Sequence, residues 1–179
     1  LGTVSETNNV EAYDNPEIAF ISGFAWVHVN VFKTELEYNR QFEKFIDSVT
    51  QGGVLVYNEA DQTLRKMVSD SPNTIRKEPY ITHDHMVSSG VTYIHTDEGP
   101  IPLNIFGRHN LSNLSGAKWI CQLIGIDQDD FYQAISSFKG ASKRLELLVR
   151  GKSSFLFKDF AHSPSKVKAT TQATKEQFP

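Results

Sequence analysis

"IAFISGF", residues 18–24, is a short, nearly continuous apolar run rich in β-formers. A run of that length without polar alternation reads as a strand buried on both faces of a parallel sheet. The next forty residues support the reading. Thr34 and Glu37 stand at capping-box spacing. Behind them Tyr38, Phe42, Phe45, Ile46 and Val49 recur at helical spacing, and Gly52-Gly53 end the pattern. "VLVYN", residues 54–58, is a second strand of the same kind. Asn58 is placed to cap a helix carrying Ala60, Leu64, Met67 and Val68. The order strand, helix, strand, helix predicts right-handed crossovers and a largely parallel sheet.

The texture changes after Pro72. Residues 75–81, 91–95 and 101–106 are three short β-like segments, broken by Gly90 and by Gly99-Pro100. They suggest antiparallel edge strands added to the parallel sheet. Helical spacing returns over residues 111–124, with Gly125 at its end, and Asp127 caps a further helix over 129–138. "KGASKR" comes next as a linker. "LELLVR" and "SFLFKDF" read as a hairpin around Gly151-Lys152, and Ser163-Pro164 opens a last helix. The expected fold is α/β: a mostly parallel sheet flanked by helices with antiparallel edge strands, then the start of a second α/β domain. The boundary is placed within 140–144, giving domains of 1–142 and 143–179, with 1–16 irregular.

A net charge of −3 over 179 residues leaves no broad basic field, which argues against nucleic acid as a partner. A lone cysteine, Cys121, excludes a disulfide framework within the chain and suits a reduced, cytoplasmic setting. No apolar run approaches membrane-spanning length, and the first residues carry no signal-peptide pattern. The chain opens on Leu1 and stops at "KEQFP" inside a helix-like pattern, which reads as an excised segment of something larger.

Several stretches carry residues suited to chemistry. "RGKSS", residues 150–154, has the Gly-Lys-Ser end of a phosphate loop. Glu146 stands where the first glycine is required, so a hairpin turn is the reading. "THDH", residues 82–85, offers two imidazoles, too few for a closed zinc site, and reads as an exposed turn. His28 falls just past the C-terminal end of the first strand, the rim where open α/β sheets place ligands. Lys143 and Arg144 lie at the proposed boundary, where clefts form. Asp159 and His162 sit between a strand and a helix whose N-terminus favours anions. "FGRHNLSNLSGAKW", residues 106–119, holds Asn110 and Asn113 just before a helical run. One N-cap accounts for one of them and leaves the other without a structural reason.

Taken in order and spacing, "ISGFAWVHVNVF", "FGRHNLSNLSGA", "FKGASKRLE" and "KDFAHSPSKVKAT" resemble the Mur ligase family over roughly residues 17–179. The resemblance implies an ATP-dependent, ADP-forming amide ligase of cytoplasmic peptidoglycan-precursor synthesis. It implies that Asn110 and Asn113 meet the edge of adenine, where a carboxamide can donate and accept together. It implies His28 at the catalytic Mg2+, Arg144 reaching the nucleotide, Asp159 at the ribose and His162 facing the reacting acyl group. Within the family, "RLE" and "DFAHSP" resemble members that join UDP-N-acetylmuramate to a murein tripeptide in recycling. Members that add L-alanine are the alternative.

The chain departs from the family pattern in two places. Val27 stands where an Asp usually precedes the loop histidine, and Ser163 replaces the second histidine of a His-His pair. The resemblance also implies a phosphate-binding loop and a UDP-sugar domain ahead of residue 1, and more of the last domain after residue 179. A rival of another class is a non-catalytic nucleotide-binding module on the same fold. In either case the piece alone is expected to be inactive.

Overall fold

A computed structural model describes residues 15–24 and 32–179. They fall into two compact units that meet in sequence between Ile81 and Thr82. The first contains β1 (Ile18–Ile21), α1 (Glu35–Asp47), β2 (Val54–Asn58), α2 (Gln62–Asp70) and β3 (Arg76–Tyr80). Its strands make one parallel sheet in the order β1-β2-β3, with Ile18 opposite Val54 and Val54 opposite Arg76.

The centre strand is buried on both faces, as its apolar run predicts: neighbouring Leu55 and Val56 are both fully buried. The same reading of β1 needs correcting. Paired among the described residues with β2 alone, it buries alternate residues, Ala19 and Ile21, and leaves Ile18 and Phe20 half-exposed. The capping box of α1 forms as its spacing predicts, with Glu37 N donating to Thr34 Oγ1 at 3.2 Å and Thr34 N to Glu37 Oε2 at 3.3 Å. Tyr38, Phe42, Phe45 and Ile46 of α1 then pack with Ala19, Ile21 and Leu55 and with Leu64 and Val68 of α2. Asp61, not Asn58, caps α2, accepting from Leu64 N at 3.1 Å. Asn58 is still strand; its Oδ1 accepts from Ala60 N at 3.1 Å and turns the chain toward the helix.

A second correction concerns β3. Its sequence suggests an antiparallel edge strand, yet it pairs parallel to β2 along its whole length. The α2 crossover brings the chain back in the same direction, and that constraint outweighs composition. The polar make-up of the strand, with Pro79 inside it, marks the sheet edge rather than the direction.

The second unit holds β4 (His85–Ser88), β5 (Val91–Thr96) and β6 (Gly99–Leu103), which form an antiparallel sheet of their own. The sheet is not hydrogen-bonded to the parallel one. Next come α3 (Arg108–Leu123), α4 (Gln128–Ser137), the hairpin β7 (Glu146–Arg150) and β8 (Phe155–Lys158), and α5 (Pro164–Gln177). Ile94, Leu103, Leu111, Leu114, Phe131 and Tyr132 form one core. Phe106, Leu145 and Ala173 form another, with Phe157 and Phe178 against it. The end of α5 is tied to the β4–β5 hairpin: Thr92 Oγ1 donates to Gln177 Oε1, and Gln177 Nε2 donates to Gly90 O, both at 2.8 Å.

"THDH" is not a simple exposed turn. His85 opens β4, and His83 is half-buried, its Nε2 3.1 Å from Tyr132 Oη. The "RGKSS" stretch is a hairpin turn, as the missing glycine at 146 predicts, closed by Gly151 N donating to Ser154 O at 2.8 Å. No helix among the described residues is long and apolar enough to cross a membrane.

Candidate functional site

Asn110 and Asn113 both lie inside α3, and neither caps it. The helix starts at Arg108, and its N-cap is Gly107, which offers no side chain. Three residues apart, the two asparagines share one side of the first turns of α3. Asn110 is half-buried, and its Nδ2 donates to Phe106 O at 2.9 Å. Among the described residues its second N–H and its Oδ1 have no partner. Asn113 is exposed, and among the described residues its amide has no hydrogen-bond partner.

The linker ahead of β7 is a tight turn. Lys143 and Leu145 both take left-handed backbone, with φ of 59° and 49°, so exposed Arg144 stands between two strained residues. Two carboxylates hold the turn. Glu146 Oε2 accepts from Lys143 N at 2.8 Å and from Ser142 Oγ at 3.4 Å. Asp159 Oδ1 accepts from Leu145 N at 3.0 Å.

Asp159 is a hub. Its other oxygen accepts from Ala161 N at 3.1 Å and from Thr170 Oγ1 at 2.9 Å, so one carboxylate joins the linker, the loop after β8 and α5. Burial pushes its pKa up. The hydrogen bonds from Leu145, Thr170, Ala161 and Phe160 outweigh that and leave it below the usual carboxylate value. His162 lies in the same loop but faces outward, its Nδ1 2.8 Å from Phe160 O and its ring edge-on to Phe160.

His28 and Val27 lie outside the described residues. Among the described residues, no group of three or more His, Cys, Asp or Glu could hold a metal ion. A cavity of about 720 Å3 runs beside the linker, lined by Phe106, Gly140, Leu145, Phe157 and Phe178 among others. Asn110, Asn113, Arg144 and Asp159 are not part of its lining, so this hollow is not where those four residues gather.

Sequence reasoning passed over two residues. Glu146 stood in plain view in "RLE", but its role depends on the turn it closes. His109 sits between Arg108 and Asn110, half-buried on α3. Burial lowers its pKa first of all; Asp159 raises it and Arg144 lowers it, and the net shift is downward. The side chains are chemically versatile: carboxamides that donate and accept, an exposed guanidinium that can bind an anion, and a carboxylate that accepts hydrogen bonds.

The UDP-N-acetylmuramate–L-alanine ligase of Caldicellulosiruptor bescii is 29% identical over 174 residues, covering 90% of this chain and 38% of that protein. The chain thus spans little more than a third of that relative. The MurF ligase of Thermotoga maritima, solved in complex with ADP, shares the fold at a TM-score of 0.72 and 16% identity, over 91% of this chain and 40% of that one. The UDP-N-acetylmuramate:L-alanyl-γ-D-glutamyl-meso-diaminopimelate ligase of Neisseria meningitides is similar at a TM-score of 0.58 and 19% identity, over 72% of this chain and 42% of that one. Residues 3–121 match the Mur ligase middle domain, more than half of the sequence, and the chain belongs to the Mur ligase family.

Proposed function

We propose that this chain is part of an ATP-dependent ligase that joins the carboxylate of UDP-N-acetylmuramate to the amine of a murein tripeptide in peptidoglycan recycling. The observation that carries the ligase reading is the arrangement in the second unit. An asparagine pair on the first turns of α3 accompanies a linker turn that presents Arg144 and is pinned by Asp159. Asn110 and Asn113 take adenine, Arg144 the nucleotide anion and Asp159 the ribose, while His162 faces the acyl group. Residues 1–142 are the central nucleotide-binding part and 143–179 the start of the ligase domain. The two-stranded sheet formed by β7 and β8, separate from both other sheets, supports that boundary. His28 is proposed as a ligand of Mg2+ and the setting as cytoplasmic.

The reaction phosphorylates the sugar-acid carboxylate with the γ-phosphoryl of ATP, releasing ADP. The peptide amine then attacks the acyl carbon, loses a proton and displaces phosphate. Such chemistry depends on positioning and charge neutralisation.

A second reading has its own support, because the C. bescii relative is named for L-alanine. Phosphate release by the intact protein, with UDP-N-acetylmuramate and each acceptor side by side, separates the two. Faster turnover with the tripeptide is expected, and a preference for L-alanine overturns the acceptor. No turnover with either points to a non-catalytic nucleotide-binding module. In the same assay His28→Ala is expected to cut turnover severely at every Mg2+ concentration; full activity would remove His28 from the site.

A further inference from the structure

We infer that His109 is a positioning residue of the nucleotide site, a spacer at the start of α3 that sets the asparagine side of that helix against the face of α5 that holds Asp159. The inference rests on the nucleotide-site reading above. Its geometry begins at Gly107. A Cβ there would lie 2.6 Å from Ala173 Cβ of α5 and 3.2 Å from His109 Cε1. The start of α3, the His109 ring and the face of α5 therefore crowd around one α-carbon. Ala173 and Thr170 are three residues apart on α5 and share that face. Thr170 holds Asp159, and Asp159 holds Leu145 next to Arg144. His109 and Ala173 thus both lie against Gly107, and from Thr170 on the same helix hydrogen bonds lead to Asp159 and the linker turn.

Three features fit a spacer. The ring is half-buried, and among the described residues it has no hydrogen-bond partner. Burial favours the neutral form, so at neutral pH the ring brings no charge to the cluster. A cation in its place would pull on the Asp159 carboxylate and repel Arg144. A smaller side chain would leave a void beside Gly107 at the start of α3, and a loosened helix start lets the asparagines drift.

The test uses the intact ligase and three variants, His109→Ala, His109→Phe and His109→Lys. It reads KM for ATP against KM for UDP-N-acetylmuramate. The alanine variant is expected to raise KM for ATP about tenfold and to move the sugar KM less than about twofold, a coupling of ordinary size for packed neighbours. Phenylalanine fills the space without charge and should stay within about threefold of the parent, whereas lysine should do at least as badly as alanine. Equal rises in both KM values, or a phenylalanine variant no better than alanine, would overturn the inference. If alanine prevents folding, the phenylalanine–lysine contrast still decides. If the parent shows no turnover, the ligase reading has failed. Calorimetry of ATP with Mg2+ on the same variants then tests the spacer by the same ordering of affinities, and an absence of that ordering rejects it.

Discussion

At the scale of single residues, burial lowers the pKa of two half-buried histidines, His83 and His109. His83 is held neutral mainly by burial and secondly by the Lys118 ammonium; the backbone of His95 and the Asp84 carboxylate pull the other way and do not win. Its partners agree with that charge state. Lys118 Nζ donates to Tyr132 Oη at 2.8 Å, which leaves the tyrosine proton for His83 Nε2 at 3.1 Å. A protonated imidazole could not accept it. The folded pKa lies below the ordinary 6.5. The unfolded chain therefore takes up the proton first, and stability falls as pH drops through 6.5 and levels off below the folded pKa. Denaturant melts at about pH 7.5, 6.5 and 5.5 should show this loss, and His83→Gln should show a smaller one. An unchanged loss in the variant would assign the titration elsewhere. None of this is legible in "THDH", because the partners come from α3 and α4, far along the chain.

At the scale of elements, the junction of α3 and α5 turns on Gly107. Its φ of +87° suits glycine, and the space a Cβ needs is taken by Ala173. Gly107→Ala should cost about 2–4 kcal/mol, adding backbone strain to overpacking. Gly125 has the same kind of backbone, φ +90°, but open space around it, so Gly125→Ala should cost only about 1–2 kcal/mol. Thermal melts of the two variants compare the terms directly, and equal losses would show that the contact with α5 adds nothing. Adding Ala173→Gly should recover part of the Gly107→Ala loss. In the sequence, Gly107 is one more glycine before a helix, and its close neighbour enters the chain only with α5. Capping signals were easier: Thr34 with Glu37, and Asp127, name their helices because the bonds close within a few residues.

For the whole molecule, the proposed adenine platform of Asn110 and Asn113 comes without a phosphate loop among the described residues. No glycine-rich phosphate loop is found in these 179 residues, since "RGKSS" is a hairpin turn. A neutral hydrogen bond contributes about 0.5–1.5 kcal/mol net, so two carboxamides supply little affinity. The isolated chain should therefore bind ATP with Mg2+ weakly or undetectably in calorimetry and release no ADP. Micromolar binding would mean that the phosphates find partners within this chain.

Local rules carried most of the elements. Apolar runs, capping boxes and the Ser163-Pro164 start act over a few residues, so they can be read from the sequence directly. The order strand, helix, strand was enough to make β1 and β2 parallel, and the spacing of four stretches was enough to point to the family. Tertiary structure decided what depends on distant partners. It made β3 parallel through the return of α2, gave the antiparallel strands a sheet of their own, and placed both asparagines inside α3. It also brought His109 and Ala173 of α5 against Gly107 at the start of α3, and tied Asp159 to α5 through Thr170. Those outcomes rest on contacts between segments far apart in the chain, and such contacts leave no period or spacing in the sequence that would announce them.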